Sequence, residues 1–255
     1  MRKIIINTLA LFVTISLHTH AQKRGEVPTF QWGTTGKQID LSWAAEVGSR
    51  VEDNQSTNTF KVKDFGAQND SNYLSTQAIQ KAIDACSNAG GGKVLFEPGY
   101  YQTGALFVKK GVYLHIGAGT TLLASTDINQ YPEFRSRIAG IEMVWPSAVI
   151  NIIDTQHAGI TGAGTIDCRG KVFWDKYWEM RKEYVQKGLR WIVDYDCKRV
   201  RGILVSGCSD ITLKDFTLMR TGFWGIQILY SNHCTLHKLT VNNNMSISVG
   251  TLIAN

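Results

Sequence analysis

The chain has 255 residues, of which 44% are hydrophobic, 19% charged and 10% aromatic, with 24 glycines and only 4 prolines. This is the composition of a folded globular protein, and it excludes a disordered tail, a collagen and a multi-pass membrane protein. A chain of this length buries roughly 70% of its unfolded surface in one or two domains, so it does not need disulfide staples.

The first 21 residues are predicted to be a signal peptide. Arg2 and Lys3 form a basic start, an apolar stretch follows, and Ala21 supplies the small residue that a signal peptidase requires. The apolar stretch is too short to cross a bilayer, and no second run of about 20 apolar residues follows it. The alternative is a buried N-terminal helix. We expect the mature protein to be secreted or periplasmic, with no membrane partner.

Charge and cysteine content narrow the choice of partner only a little. The net charge is +6 at pH 7 and becomes +4 without the first 21 residues, whose only charges are Arg2 and Lys3. This excess suits an acidic polymer or surface, but ordinary solubility charge explains it equally well. The cysteines show no metal-ligand spacing and are interpreted as small core residues: Cys86, Cys168, Cys197, Cys208 and Cys234.

The sequence predicts one amphipathic helix. Residues 22–59 form a polar lead without periodicity, and organised structure is expected over residues 60–255. Apolar residues recur at helical spacing over residues 76–86, with Asp70 or Ser75 as a possible cap and three consecutive glycines from Gly90 as the stop.

After this helix the pattern changes to short apolar strings separated by turn-forming residues. Strings of this kind predict strands, and the lack of helices between most of them argues against a doubly wound sheet. The strings are Val94 to Phe96, Leu106 to Val108, Val112 to Ile116, Leu122 and Leu123, Val149 to Ile152, and Ile203 to Val205.

Internal repetition indicates the architecture. Residues 209–218 align with residues 232–241 at an offset of 23, and each copy contains two short strands. The tetrapeptide that starts at Gly117 recurs at Gly162, an offset of 45 that we interpret as two periods. A repeat of this length without helices predicts an all-β solenoid of the parallel β-helix type.

Two segments depart from the period, residues 125–147 and residues 171–198. Insertions in a solenoid project from one face and commonly line a binding cleft. The second segment is rich in aromatic and basic residues, which suits either a satellite core or a binding surface. His233 and His237 have the spacing of a metal site on a helix, but on a strand they lie roughly 13 Å apart and are interpreted as surface residues.

Several motifs resemble pectin-degrading β-helix enzymes. The general ones are Asp64 to Ala67, the helix over residues 76–86, and Pro98 to Tyr100. More specific are Gly164 to Asp167 followed by Trp174, and residues 221–226, Thr-Gly-Phe-Trp-Gly-Ile. These are similar to glycoside hydrolase family 28, the polygalacturonases, over roughly residues 60–244.

This resemblance implies a right-handed parallel β-helix that hydrolyses α-linked galacturonic acid polymers with inversion. Inversion requires an acid and a base carboxyl group about 6.5 to 9.5 Å apart. The family supplies its catalytic groups from Asn-Thr-Asp, Asp-Asp, Gly-His-Gly and Arg-x-Lys elements, and neither of the two elements that carry its aspartates is present here. The 40 residues after Asp215 contain no Asp or Glu. We therefore predict no catalytic residue, a sequence cut short or altered near Met245, and no activity of this chain alone.

Four residues could still contact a polysaccharide substrate. Trp224 suits sugar stacking or packing within the coil, and Gln227 stands where the family often carries a histidine on the cleft strand. Arg199 and Arg201 could attract carboxylates, although a solvated surface position is the more ordinary expectation for each. Trp224, Gln227 and Arg201 are the predicted substrate-binding residues; no metal, cofactor or nucleic acid is expected.

Two other functions remain open. One is a lyase that abstracts a proton with Arg or Lys beside a calcium ion, although no cluster of Asp residues suits calcium. The other is a β-helix that binds pectin without reaction, supported by the aromatic segment that contains Trp174 and Trp178.

Overall fold

The computed structural model describes residues 40, 42–51 and 57–243, and the backbone of residues 252–254. The predicted signal peptide and the region around Met245 lie outside the described residues. The chain divides into two units between Glu46 and Val47. In the first unit Ser42–Glu46 form a 3-10 helix. Within the described ranges, no helix has the length and apolar character needed to cross a membrane.

Short strands make up most of the second unit. The strands are β1 Thr59–Lys61, β2 Asp70–Leu74, β3 Gly92–Leu95, β4 Gly99–Thr103, β5 Leu106–Val108, β6 Val112–His115, β7 Thr120–Ala124, β8 Glu133–Ile138, β9 Ile141–Pro146, β10 Ile150–Ile153, β11 Gln156–Thr161, β12 Thr165–Asp167, β13 Ile203–Ser206, β14 Ser209–Lys214, β15 Thr217–Met219, β16 Ile226–Leu229, β17 Asn232–His237, β18 Thr240–Asn242 and β19 Leu252–Ala254. The α-helices are α1 Thr76–Asn88, α2 Lys171–Gln186 and α3 Val193–Asp196.

All of these strands except β8 and β9 form three parallel sheets, which are the sides of a right-handed parallel β-helix. One sheet has the order β1-β3-β6-β11-β14-β17, the second β5-β10-β13-β16-β19 and the third β2-β4-β7-β12-β15-β18. Each turn of the chain, or coil, adds one strand to each sheet and stacks on the coil before it. The predicted fold class is confirmed.

The 23-residue repeat corresponds to one coil. Ser209 pairs with Asn232 in the first sheet, and Thr217 pairs with Thr240 in the third. Because parallel strands in register place equivalent side chains above one another, apolar residues form columns inside the solenoid. One column joins Leu122, Ile166, Leu218 and Val241, and its first three members are fully buried.

The interpretation of the 45-residue offset as two periods is wrong. Strands β7 and β12 are direct neighbours, and Thr165 pairs with Thr121. The two glycine motifs therefore lie on adjacent coils, and the coil between them is lengthened by residues 125–147. Close backbone approach explains Gly164, because an added Cβ would lie 2.7 Å from the carbonyl oxygen of Gly117.

Helix α1 closes the first end of the described solenoid where the sequence predicted it. Ile79, Ile83 and Cys86 on one face are fully buried. Ser75 occupies the N-cap position, but its hydroxyl accepts from the amide of Gln68 at 3.1 Å and does not cap the helix. Asp70 belongs to strand β2. Four of the cysteines are buried and Cys234 is partly buried, which confirms their interpretation as core residues.

The polar lead contains a segment that binds to the solenoid wall. The side chain of Arg50 donates two hydrogen bonds to the buried carboxylate of Asp210, at 3.0 and 2.7 Å. This contact lowers the pKa of Asp210 to about 2. The amide of Ser49 donates to the hydroxyl of Thr235 at 2.8 Å. Residues 49 and 50 are therefore fixed to strands β14 and β17.

The in-register stacking leaves no room for a side chain at Gly159 on β11. A Cβ there would lie 2.0 Å from the carbonyl oxygen of Thr212 on the next coil, whereas a Cβ on Gly117 would meet nothing closer than 3.9 Å. We expect Gly159→Ala to lower the free energy of unfolding by about 3 kcal/mol, because the coils would have to separate. Denaturant unfolding followed by circular dichroism measures this, with Gly117→Ala as control. Equal stability of the two variants would contradict the stacking.

Candidate functional site

The predicted substrate-binding residues lie on the outer side of the second sheet. Ile226 and Ile228 of β16 point into the core, so Gln227 between them points outward. Gln227 pairs with Leu204 on β13, which in turn pairs with Asn151 on β10. These three side chains form one outward column across three coils, and all three are buried.

A β-hairpin covers this column. Strands β8 and β9 pair antiparallel, and Ala139 and Gly140 between them both have positive φ, which suits a tight two-residue turn. Phe134 of the hairpin packs against the small buried cluster of Ala148, Leu204 and Leu229. We call the outer side of β10, β13 and β16 beneath the hairpin the covered face.

Aromatic stacking fixes one edge of the hairpin. Trp145 on β9 is fully buried, and its indole N–H donates to the carbonyl oxygen of Arg199 at 2.9 Å. Its ring packs against Phe223 at 5.6 Å between centroids, and Phe223 stacks on Trp224 at 4.3 Å. Trp224 is only 6% exposed. Trp224 packs in a cluster with Phe223 and with Trp145 of the hairpin, and its expected role in sugar stacking stays a prediction.

Arg201 is a buried cation under the hairpin. It is 0% exposed, and it donates to the hydroxyl of Ser136 at 2.9 Å, to Oε1 of Gln227 at 2.8 Å and to the carbonyl oxygen of Pro146 at 3.1 Å. All three acceptors are neutral, and in the described chain Arg201 forms no ion pair. Desolvation lowers the pKa of Arg201 to about 9. The covered face therefore contains a positive charge that no carboxylate of the described residues balances.

Gln227 joins the sheet, the cation and the hairpin. Its Oε1 accepts from Arg201, and its amide nitrogen donates to the carbonyl oxygen of Arg137 on β8 at 3.0 Å. Trp224, Gln227 and Arg201 thus come together, but the hairpin separates them from solvent. As placed, they hold the hairpin; the substrate-binding role stays a prediction that requires the hairpin to move.

The expectation of a solvated surface position for Arg199 and Arg201 is wrong. Arg199 is 2% exposed, and its guanidinium lies 4.0 Å from the ring centroid of Tyr177 and 4.2 Å from that of Phe223. Burial lowers the pKa of Arg199, and its ion pair with Asp194 at 2.9 Å partly offsets this effect. Arg199 therefore fastens the insertion over residues 171–198 to the solenoid.

The insertion over residues 171–198 contains α2 and α3, which the sequence did not predict as helices. Trp174 is buried, and its indole donates to the carbonyl oxygen of Thr221 at 2.7 Å. The ring of Phe173 approaches Gly222 so closely that a Cβ there would lie 2.6 Å from it. Residues 221–224, Thr-Gly-Phe-Trp, thus include the part of the solenoid on which this insertion packs.

The carboxylates beside the hairpin are engaged by basic groups. Lys198 binds Glu133 at 2.6 Å, and Glu142 lies 3.8 Å from Arg137 while accepting from the hydroxyl of Tyr230 at 2.7 Å. Over the described ranges, no group of three or more His, Cys, Asp or Glu could hold a metal ion. Both of these carboxylates beside the hairpin are thus held by neighbouring side chains.

Comparisons with known proteins agree with this architecture. The family model described as rhamnogalacturonase A/epimerase, pectate lyase-like, matches residues 59–144. The chain is 34% identical over 117 residues to an exo-poly-alpha-D-galacturonosidase of Dickeya chrysanthemi, a match that covers 43% of this chain and 19% of that protein. The chain thus spans about a fifth of this curated relative.

Solved structures give the same result for a longer part of the chain. The family 28 exopolygalacturonase of Yersinia enterocolitica matches with a TM-score of 0.62 and 26% identity, over 74% of this chain and 39% of that one. The exopolygalacturonase of Thermotoga maritima matches with a TM-score of 0.65 and 19% identity, over 77% and 48% of the two chains, and shows the fold alone. The resemblance to family 28 is confirmed.

The buried contact between Arg201 and Gln227 can be tested by a double-mutant cycle. Arg201→Met leaves the Gln227 oxygen buried without its donor, which we expect to cost about 2 kcal/mol of unfolding free energy. Adding Gln227→Leu removes the orphaned group, so the double variant should lose less than the sum of the single variants. Denaturant unfolding of the four proteins measures the coupling. Additive losses would contradict the contact.

Proposed function

We propose that this chain is part of a secreted glycoside hydrolase of the polygalacturonase type, acting on galacturonic-acid-containing pectin by inverting hydrolysis. The observation that carries the proposal is the covered face. The family-like residues 221–226 lead directly into β16, so Gln227 occupies the outward position where the family often carries a cleft histidine. Beside it, Arg201 is a buried cation suited to the carboxylate of a galacturonic acid unit.

We expect the 255 residues alone to bind the polymer without hydrolysing it. Inverting hydrolysis requires one carboxylic acid to protonate the leaving oxygen and one carboxylate to activate water on the opposite face of the sugar. The sequence has no Asp or Glu after Asp215 and neither of the two elements, Asn-Thr-Asp and Asp-Asp, that carry the catalytic aspartates of the family. Glu133 and Glu142, next to the hairpin, lie in ion pairs. We therefore propose that this chain does not cleave the polymer.

This proposal is tested by incubating the mature chain with polygalacturonate and measuring reducing ends. We expect no release above buffer, while an active polygalacturonase assayed in parallel confirms the substrate and the detection. Robust release of reducing ends would overturn the proposed inactivity. Unsaturated products that absorb in the ultraviolet would instead indicate the lyase reaction and overturn the hydrolase assignment.

A second function is favoured by a separate observation. The insertion over residues 171–198 exposes Trp178 and Trp191, which is unusual for large aromatic side chains in a soluble domain. A β-helix that binds pectin without any reaction would use such side chains directly. Binding to polygalacturonate with no product of either kind in the assay above would favour this function.

A further inference from the structure

The helical insert, residues 171–198, has a buried side that fixes it and an exposed side that the contacts described above leave unused. Trp174, Tyr177 and Val193 form a small core of their own, and the ring of Tyr177 meets that of Trp174 edge-on at 6.0 Å. Because Trp174 also binds the carbonyl oxygen of Thr221, the insert is anchored to the solenoid. Its outer side chains are therefore held in a defined arrangement.

That outer side carries exposed apolar side chains among its charged ones. Trp178 and Val185 of α2 are seven residues apart and so lie on one face of the helix. Trp191 is 69% exposed, and its neighbours Leu189 and Ile192 are exposed as well. We call Trp178, Val185, Leu189, Trp191 and Ile192 the patch. An anchored patch with two exposed tryptophans is typical of a binding surface.

Each exposed tryptophan is accompanied by an arginine. The guanidinium of Arg181 lies 4.8 Å from the ring centroid of Trp178, and that of Arg190 lies 4.7 Å from the ring centroid of Trp191. Arg181 also donates to the hydroxyl of Tyr177 at 3.1 Å. Within the described part of the chain, neither guanidinium forms an ion pair with a carboxylate.

Several other charges of the insert are paired with one another, and these two arginines are its cations that lie against exposed tryptophan rings. Lys171 pairs with Asp175, and Lys187 pairs with Glu183. A flat aromatic ring next to a guanidinium without a counterion offers an apolar surface for stacking and a group of N–H donors that binds carboxylate. A uronic acid unit has the matching chemistry, since its ring has apolar C–H faces and its carboxylate pairs with guanidinium.

We propose that the helical insert is a binding surface for polymers of uronic acids, separate from the covered face. The sugar rings stack on the indole rings of Trp178 and Trp191, and Arg181 and Arg190 bind the carboxylates. The proposal shares with the proposed function only the class of polymer, and it requires no catalytic step. Trp174, which the sequence suggested for this role, is buried and serves as an anchor.

The test uses affinity electrophoresis of the mature chain in gels that contain polygalacturonate, highly methyl-esterified pectin or polymannuronate. Trp191→Ala is the main variant, because this side chain is the most exposed of the patch and its loss leaves the small core intact. We expect about fivefold weaker binding to polygalacturonate. Trp43→Ala, which removes a tryptophan that is 61% exposed in the first unit, is the matched control and should bind like the parent.

Arginine variants and esterification test the charge component. Arg190→Gln should weaken binding to polygalacturonate severalfold and change binding to the esterified pectin little, because esterification removes the carboxylates. Equal binding of the parent chain to the esterified and unesterified polymers would overturn the proposal. So would unchanged polygalacturonate binding by Trp191→Ala and Arg190→Gln.

The design separates failure of this inference from failure of the proposed function. Binding of polymannuronate but not polygalacturonate, lost in Trp191→Ala, would support the surface and contradict the assignment to pectin. Hydrolysis of polygalacturonate with binding unaffected by both variants would support the assignment to pectin and contradict the surface. If the parent chain binds none of the polymers but self-associates through the patch in sedimentation, the occupant is protein and the proposal is wrong.

Discussion

Parallel pairing in register between successive coils is the constraint on which the rest of this structure depends. Once Ser209 lies beside Asn232 and Ile203 beside Ile226, every side chain of a coil has a fixed neighbour above and below it. Inward positions then form continuous apolar columns, whereas outward positions are free to carry other chemistry. The column of Asn151, Leu204 and Gln227 is a direct result of this register.

The covered face combines that register with an insertion from an earlier part of the chain. The hairpin begins at Glu133, well before β13 and β16 in sequence, yet it packs on both strands. It is held by the Trp145 ring and by hydrogen bonds to Arg201 and Gln227. Burying a guanidinium against neutral acceptors alone is costly, because the charge loses its hydration without gaining a counterion.

The repeating part of the fold could be predicted from the sequence, and the inserted parts could not. The similarity of residues 209–218 to residues 232–241 indicates the length of one coil directly, because stacked coils place similar residues at equivalent positions. Helix α2 has no such signal: Gly170 precedes it without a capping side chain, and its buried residues are aromatic. Arg201 lies two residues before β13, and nothing in the sequence indicates what covers it. The hairpin with its turn at Ala139 and Gly140 was not predicted from the sequence, and only its packing reveals the burial.

Chemical modification of arginine is the most direct test of the covered face. The native chain would be treated with phenylglyoxal, and the modified residues would be identified by mass spectrometry of the peptides. We expect rapid modification of the exposed Arg190 and protection of Arg199 and Arg201 until the protein unfolds. Modification of Arg201 in the folded protein as fast as that of Arg190 would show that the hairpin does not cover it, and would contradict the account.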